Sequence, residues 1–241
     1  MISSNLLVLN HPRVAGALVV SMAIALVFAA KAEEAAESSV SAVSAVSADA
    51  AKARLQQGNR RCIEGQSAHK HDLGHWRERF LVKQRPFATV LGCSDSRVPP
   101  ELAFDQGFGE LFVIRVAGNI VDPAVVGSIE YSIEHLGNKL IVVLGHQNCG
   151  AVTAALASLD QTENEPKELR SLLDRIRPAI ATVDRQLKHE HRVAVAVEAN
   201  TRASAQQLRE VPSIAAAIRT KNVKVVAAVD NIATGTITFL E

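Results

Sequence analysis

Short, dense apolar runs alternate along this chain with stretches where apolar residues recur every three or four positions. FATVLG (87–92), LFVIRV (111–116), LIVVLG (140–145) and VKVVAAV (223–229) have strand length and little polar interruption. Such runs suit strands buried on both faces of a parallel sheet. ITFL (237–240), after Gly235, is shorter and reads as an edge strand. Between the runs lie helical patterns. Pro123 opens one over 123–135, with Val126, Ile129, Ile133 and Leu136 facing inward and Gly137-Asn138 as its stop. Alanine-rich 150–159 gives another. After a polar break at 160–167, a helical region extends to 188 with an interruption at Pro178, 192–210 is helical or partly extended, and Pro212 starts a short helix to 220. Upstream, 50–63 is a helix with sparse apolar points, Leu55 and Ile63, weakened by Gly58. Residues 69–83 form a second helix, with Trp76, Phe80 and Lys83 on one face. Strands alternating with helices predict a single α/β domain: a central, mostly parallel sheet flanked by helices, with a C-terminal edge strand.

The first fifty residues have a different pattern. Residues 14–30 are uncharged and follow Arg13; Ala30 and Ala32 bracket Lys31 ahead of Glu33-Glu34. This is the pattern of an export signal over 1–32, cleaved after Ala32. An anchor formed by 14–30 is the alternative, although that stretch is marginal for a full span. Residues 33–50 are mostly Ala, Ser and Glu and read as a flexible linker. The catalytic domain is therefore expected at 51–241, in a periplasmic or otherwise exported protein. Once the signal is cleaved, no stable membrane insertion is expected.

With 26 basic and 25 acidic residues among 241, the chain has no basic footprint, and nucleic acid is not expected as a partner. Chemistry concentrates at two predicted strand ends, where ligands gather in open α/β sheets. CSDSRV (93–98) follows one strand, and GHQNCG (145–150) closes another. Cys93, His146 and Cys149 supply two thiolates and an imidazole, three of the four positions of a tetrahedral zinc. Asp95 or a water takes the fourth. Arg97, two residues on, can hold the Asp95 carboxylate in a bidentate pair and leave the position to water. Zinc lowers the pKa of such a water to about 7, which provides hydroxide at neutral pH. On residues alone, a closed structural zinc site with Asp95 as fourth ligand and a thiol-nucleophile enzyme stay as alternatives.

CSDSRV with Pro99, Pro100 and Glu101, FDQGFGELFVIRVAGNIVD (104–122) and IEYSIEHLGNKLIVVLGHQNCGAV (129–152) resemble the β-class carbonic anhydrases, strongly over 55–159. The resemblance implies reversible hydration of carbon dioxide to bicarbonate and a proton by zinc-bound hydroxide, with one zinc per subunit. It implies Cys93, His146 and Cys149 as ligands and Asp95 with Arg97 as the catalytic dyad. Asp95 would be the alternative fourth ligand of an inactive state. It also implies sites shared between subunits of a dimer or tetramer, with Gln84, Phe112, Tyr131 and Gly150 at the substrate. The sequence departs from relatives at two places. Val90 stands where one regulated branch has the tryptophan of a non-catalytic bicarbonate site, and Val116 follows Arg115 where many relatives have asparagine.

Proton release calls for a group titrating near neutrality. His69, His71 and His75 cluster before Trp76, and their plain reading is a solvated helix face. Cys62 is the cysteine outside the motifs and is expected to be a buried helix residue. Two rival activities share these motifs: turnover of a sulfur analogue such as carbonyl sulfide or carbon disulfide, and a zinc-stabilised binding module without turnover.

Overall fold

Strands β1 (Ala88–Gly92), β2 (Leu111–Arg115), β3 (Leu140–His146), β4 (Lys224–Asn231) and β5 (Thr236–Leu240) form one sheet in the order β2-β1-β3-β4-β5. The first four run parallel and β5 runs antiparallel on the outer edge of β4. The expected α/β architecture is the one observed. The computed structural model describes residues 46–68, 83–159 and 165–241. The export signal, the linker up to residue 45 and the helix over 69–82, with its three histidines, lie outside the described residues.

Alternation along the central strands feeds two cores. Leu140, Val142 and Leu144 of β3 join Val90 and Ala228 in a core closed by Leu55, Phe87 and Phe104. Ile141 and Val143 point the other way, with Leu91, Val225 and Ala227, toward helices α3 (Pro123–Glu134), α6 (His189–Glu210) and α7 (Pro212–Lys221). A third cluster lies at the carboxyl end of the sheet. It joins Cys93 and Cys149 to α4 (Gly150–Ala157), α5 (Lys167–Ile180) and the first half of α6.

Helix α1 (Ala48–Ile63) starts two residues before the expected Ala50, because Ser47 caps it: its Oγ accepts a hydrogen bond of 3.2 Å from the Ala50 amide. Ala48, expected in the linker, and Ala51 are buried and form part of the core. Gly58 is a close-approach position rather than a weak point, since a Cβ there would sit 1.8 Å from the Phe104 carbonyl oxygen. Beside it, buried Asn59 donates to the carbonyls of Ala103 and Gly235 and accepts from the Ile237 amide. Cys62, expected to be buried, is exposed; this last turn of α1 also carries the exposed Ile63 and runs past the edge of the core.

Pro178 does not break α5. Its face is exposed, and the helix ends two residues on, after buried Ile180. The stretch over 192–210, expected to be helical or partly extended, is helical throughout and belongs to the 22-residue α6. Its buried positions are Val193, Ala196, Val197, Asn200, Thr201, Ser204, Ala205 and Leu208, a regular helical stripe. Asn200, Thr201 and Ser204 are polar, so the apolar pattern is interrupted in its middle. A short helix, α2 (Pro100–Ala103), and a 3-10 turn at Ala117–Asn119 complete the described elements.

Candidate metal centre

Cys93 follows β1, His146 is the last residue of the neighbouring β3, and Cys149 is the N-cap residue of α4. Parallel pairing of β1 with β3 brings both strand ends to the same edge of the sheet. The turn from His146 to Cys149 closes through Asn148 at φ 53°, a left-handed conformation that asparagine tolerates. All three side chains are buried, and their ligand atoms lie within 4.8 Å of one another.

The donor set fits a zinc ion. The two sulfurs are 4.0 Å apart; two thiolates bound tetrahedrally at about 2.3 Å stand about 3.8 Å apart. His146 Nδ1 lies 2.9 Å from the Gln147 carbonyl oxygen. That oxygen can only accept, so Nδ1 carries the hydrogen and Nε2 presents a lone pair. Nε2 is buried and has no hydrogen-bond partner among the described residues. Burial pushes the imidazole pKa down, but the neighbouring Cys93 sulfur outweighs it and the net shift is upward. Of the two thiols, Cys93 is the one pushed down, first by the hydrogen bond from Cys149 and further by His146 and the Gly118 amide.

Arg97 grips Asp95 as expected. Its Nε and Nη2 lie 2.9 and 2.7 Å from Oδ1 and Oδ2, and its own amide lies 3.0 Å from Oδ1. These bonds hold the Asp95 carboxyl well below the usual carboxylate range. Asp95 Oδ2 also lies 3.9 Å from His146 Nε2, on the rim of the cluster.

Several supporting residues went unread in the sequence. Arg115, at the end of β2, donates to the carbonyls of Cys93 (2.9 Å) and Asp95 (2.5 Å), and so sets the path of the loop. The Gly118 amide donates to Cys93 Sγ at 3.3 Å, and Asn200 of α6 donates to the Gly118 carbonyl at 2.8 Å. Gly145, before His146, leaves room for Thr201: a Cβ there would sit 2.1 Å from the threonine Oγ1. Asp230 pairs in register with His146 and is buried, and burial pushes its carboxyl pKa up against the opposing pull of the imidazole. The length of β4 was the one available signal, since ending it at 229 left Asp230 outside the sheet.

The other predicted site residues are not gathered at this cluster. Gln84 is exposed and precedes β1, whereas Cys93 follows it. Phe112 pairs with Thr89, four residues before Cys93 and so about 13 Å back along the strand. Its ring lies 6.1 Å from that of Tyr131, which is 45% exposed on α3. Gly150 directly follows Cys149 and is exposed; a Cβ there would meet nothing within 4 Å, so no contact inside the chain demands glycine.

Paired cysteines and a histidine at adjacent parallel strand ends, with an arginine-clamped aspartate on the rim, define a metal centre of an α/β protein. A family model for carbonic anhydrase matches residues 88–237. Carbonic anhydrase from Mycolicibacterium smegmatis is 47% identical over 131 residues, covering 54% of this chain and 64% of that protein. Carbonic anhydrase from Pseudomonas aeruginosa is 38% identical over 152 residues, covering 58% and 66%. The matches span a little under two thirds of the length of these relatives. Among solved structures, a tetrameric β-carbonic anhydrase from Sordaria macrospora superposes with a TM-score of 0.64 at 27% identity, over 76% of this chain and 94% of that one. The chain belongs to the β-class carbonic anhydrase family.

Proposed function

We propose that this chain catalyses the reversible hydration of carbon dioxide to bicarbonate and a proton. The observation that carries the proposal is the buried Cys93, His146 and Cys149 cluster, with a lone pair of His146 unpartnered beside a clamped Asp95. These three residues would hold one zinc per subunit. Bound there, zinc supplies the Lewis acidity that makes a hydroxide nucleophile available near neutral pH. Arg97 keeps the Asp95 carboxylate from taking the fourth position itself. Asp95 Oδ2, on the rim, would accept a hydrogen bond from the nucleophile and orient it toward the substrate.

Gln84, Phe112 and Tyr131 would serve the substrate of a neighbouring subunit, in a dimer or tetramer. The exposure of Gln84 and Tyr131, and the distance of Phe112 from the cluster of its own chain, support that reading. Gly150 would leave space for carbon dioxide beside Cys149. The pattern of residues 1–32 supports export to the periplasm or beyond, which N-terminal sequencing of the native protein in each cell fraction would test. The activity is tested on the purified chain by metal analysis with stopped-flow carbon dioxide hydration. One zinc per subunit with rapid hydration is expected; zinc-loaded protein without turnover would leave a binding module.

A further inference from the structure

We infer that Asn200 is a positioning residue for the metal centre, acting on Cys93 through the Gly118 peptide. The inference rests on the reading of Cys93 as a zinc ligand. Cys93 Sγ receives one backbone hydrogen bond from outside its own loop, the 3.3 Å bond from the Gly118 amide. The direction of that amide depends on an unusual backbone. Gly118 has φ 70° and ψ 18°, in the left-handed region, inside the 3-10 turn that follows β2. A Cβ there would meet Ile176 Cδ1 at 2.7 Å and the Ala151 Cβ at 3.3 Å, so α5 and α4 press on the turn. Among the described residues they give it no polar contact; within the turn the Asn119 amide donates to the Val116 carbonyl at 2.9 Å, which leaves the Gly118 carbonyl to a contact from outside.

Asn200 supplies that contact. Its side chain is 2% exposed on the inward face of α6, and Nδ2 donates to the Gly118 carbonyl at 2.8 Å. The Gly118 amide and carbonyl are thus both engaged, the amide on the sulfur and the carbonyl on Asn200. A donor 82 residues away holds the glycine in the orientation that serves Cys93. A hydrogen bond to a thiolate stabilises the charged ligand and fixes where its lone pairs point. Groups that hold a ligand in this way commonly contribute 10–100-fold to metal affinity.

The test uses the full chain and reads metal binding as well as turnover. Zinc affinity is measured by competition with a chromophoric chelator, and the thiolate-to-metal charge-transfer band is recorded after cobalt(II) substitution. Stoichiometric zinc on the parent protein, lost in Cys93→Ser, tests the ligand assignment separately. Asn200→Ala is expected to weaken zinc binding about 10-fold or more and to shift the cobalt band. Asn200→Ser keeps a shorter donor in the same place; it is expected to fall between the two and to keep the inference testable should the alanine variant not fold. Ser132→Ala is the control. Its buried hydroxyl accepts from Thr89 and donates to the Ile129 carbonyl, away from the turn, so it should lower stability and leave zinc affinity unchanged. Parent-like affinity and an unshifted band in both Asn200 variants would overturn the inference. An equal loss of affinity in Ser132→Ala would also overturn it, by reducing Asn200 to general support of the fold.

Discussion

Two aspartates ten residues apart, in the one connection between β1 and β2, are both gripped by arginine, and they do different work. Asp105 is held by three other residues. Ser67 Oγ donates to its Oδ1, while Arg61 Nε and the Ala68 amide donate to its Oδ2. Its side chain is 2% exposed, against 17% for Asp95. Every donor to the Asp95 carboxylate among the described residues comes from Arg97, two residues on, and Oδ2 lies 3.9 Å from His146 Nε2 of the metal cluster. A buried carboxylate held by three residues from other elements ties those elements together, here α1 and the segment after it to the β1–β2 connection. One held by a single partner, with an edge left open, is placed for chemistry.

Removing what Asp95 faces should have the largest effect. Cys149→Ser takes away the second sulfur and should abolish turnover with loss of most of the zinc, read by metal analysis of the purified variant. Full zinc and full activity would remove the cluster from the proposed mechanism. Arg97→Ala should come next. Freed of its clamp, Asp95 lies close enough to take the fourth position itself, so hydration should fall by about 10²-fold or more while zinc stays bound. Loss of the metal, or kinetics near those of the parent, would show that the clamp does not act by keeping Asp95 away.

A change at the buried aspartate should leave the chemistry alone. Asp105→Asn turns an acceptor edge into a donor facing Arg61 and the Ala68 amide, and should cost about 2–3 kcal/mol of stability in denaturant unfolding. Turnover per folded molecule should stay near that of the parent. A catalytic defect without a stability defect would reverse the roles assigned to the two residues.

The contrast also marks what the sequence could reveal. The grip on Asp95 is local, so C-x-D-x-R shows it, as H-x-x-C shows the other half of the cluster. The strands were readable because burial on both faces leaves unbroken apolar runs. The partners of Asp105 lie 37 to 44 residues away, and nothing near it in the chain announces them. Arg115, Asn200 and Asp230 reach the site the same way, from other elements. Helix α6 stayed ambiguous between helical and partly extended because its inward face is polar where it supports the site. Gly58 looked like a weak point because the carbonyl it makes room for belongs to Phe104, far along the sequence.

The smallest expected effect is a dependence on acid, carried by the Asp105 carboxylate. Its pKa is lowered to about 2: burial pushes it up, and the bonds from Ser67, Ala68 and Arg61 more than offset that. In the unfolded chain an aspartate titrates near ~3.9. As pH falls, the unfolded state therefore takes up the proton first. The stability from this carboxylate is fully present above pH ~4, declines below it and is gone once pH passes below about 2, a loss of about 2.5 kcal/mol. Other acids titrate in the same window, so the useful quantity is the difference between parent and Asp105→Asn, measured by denaturant unfolding from pH 5 to pH 2. That difference should be constant near pH 5 and should narrow by about 2 kcal/mol by pH 2, because only the parent has this proton to gain. A gap that stays constant across the window would mean that Asp105 is held by shape rather than by charge, and the contrast with Asp95 would then rest on geometry alone.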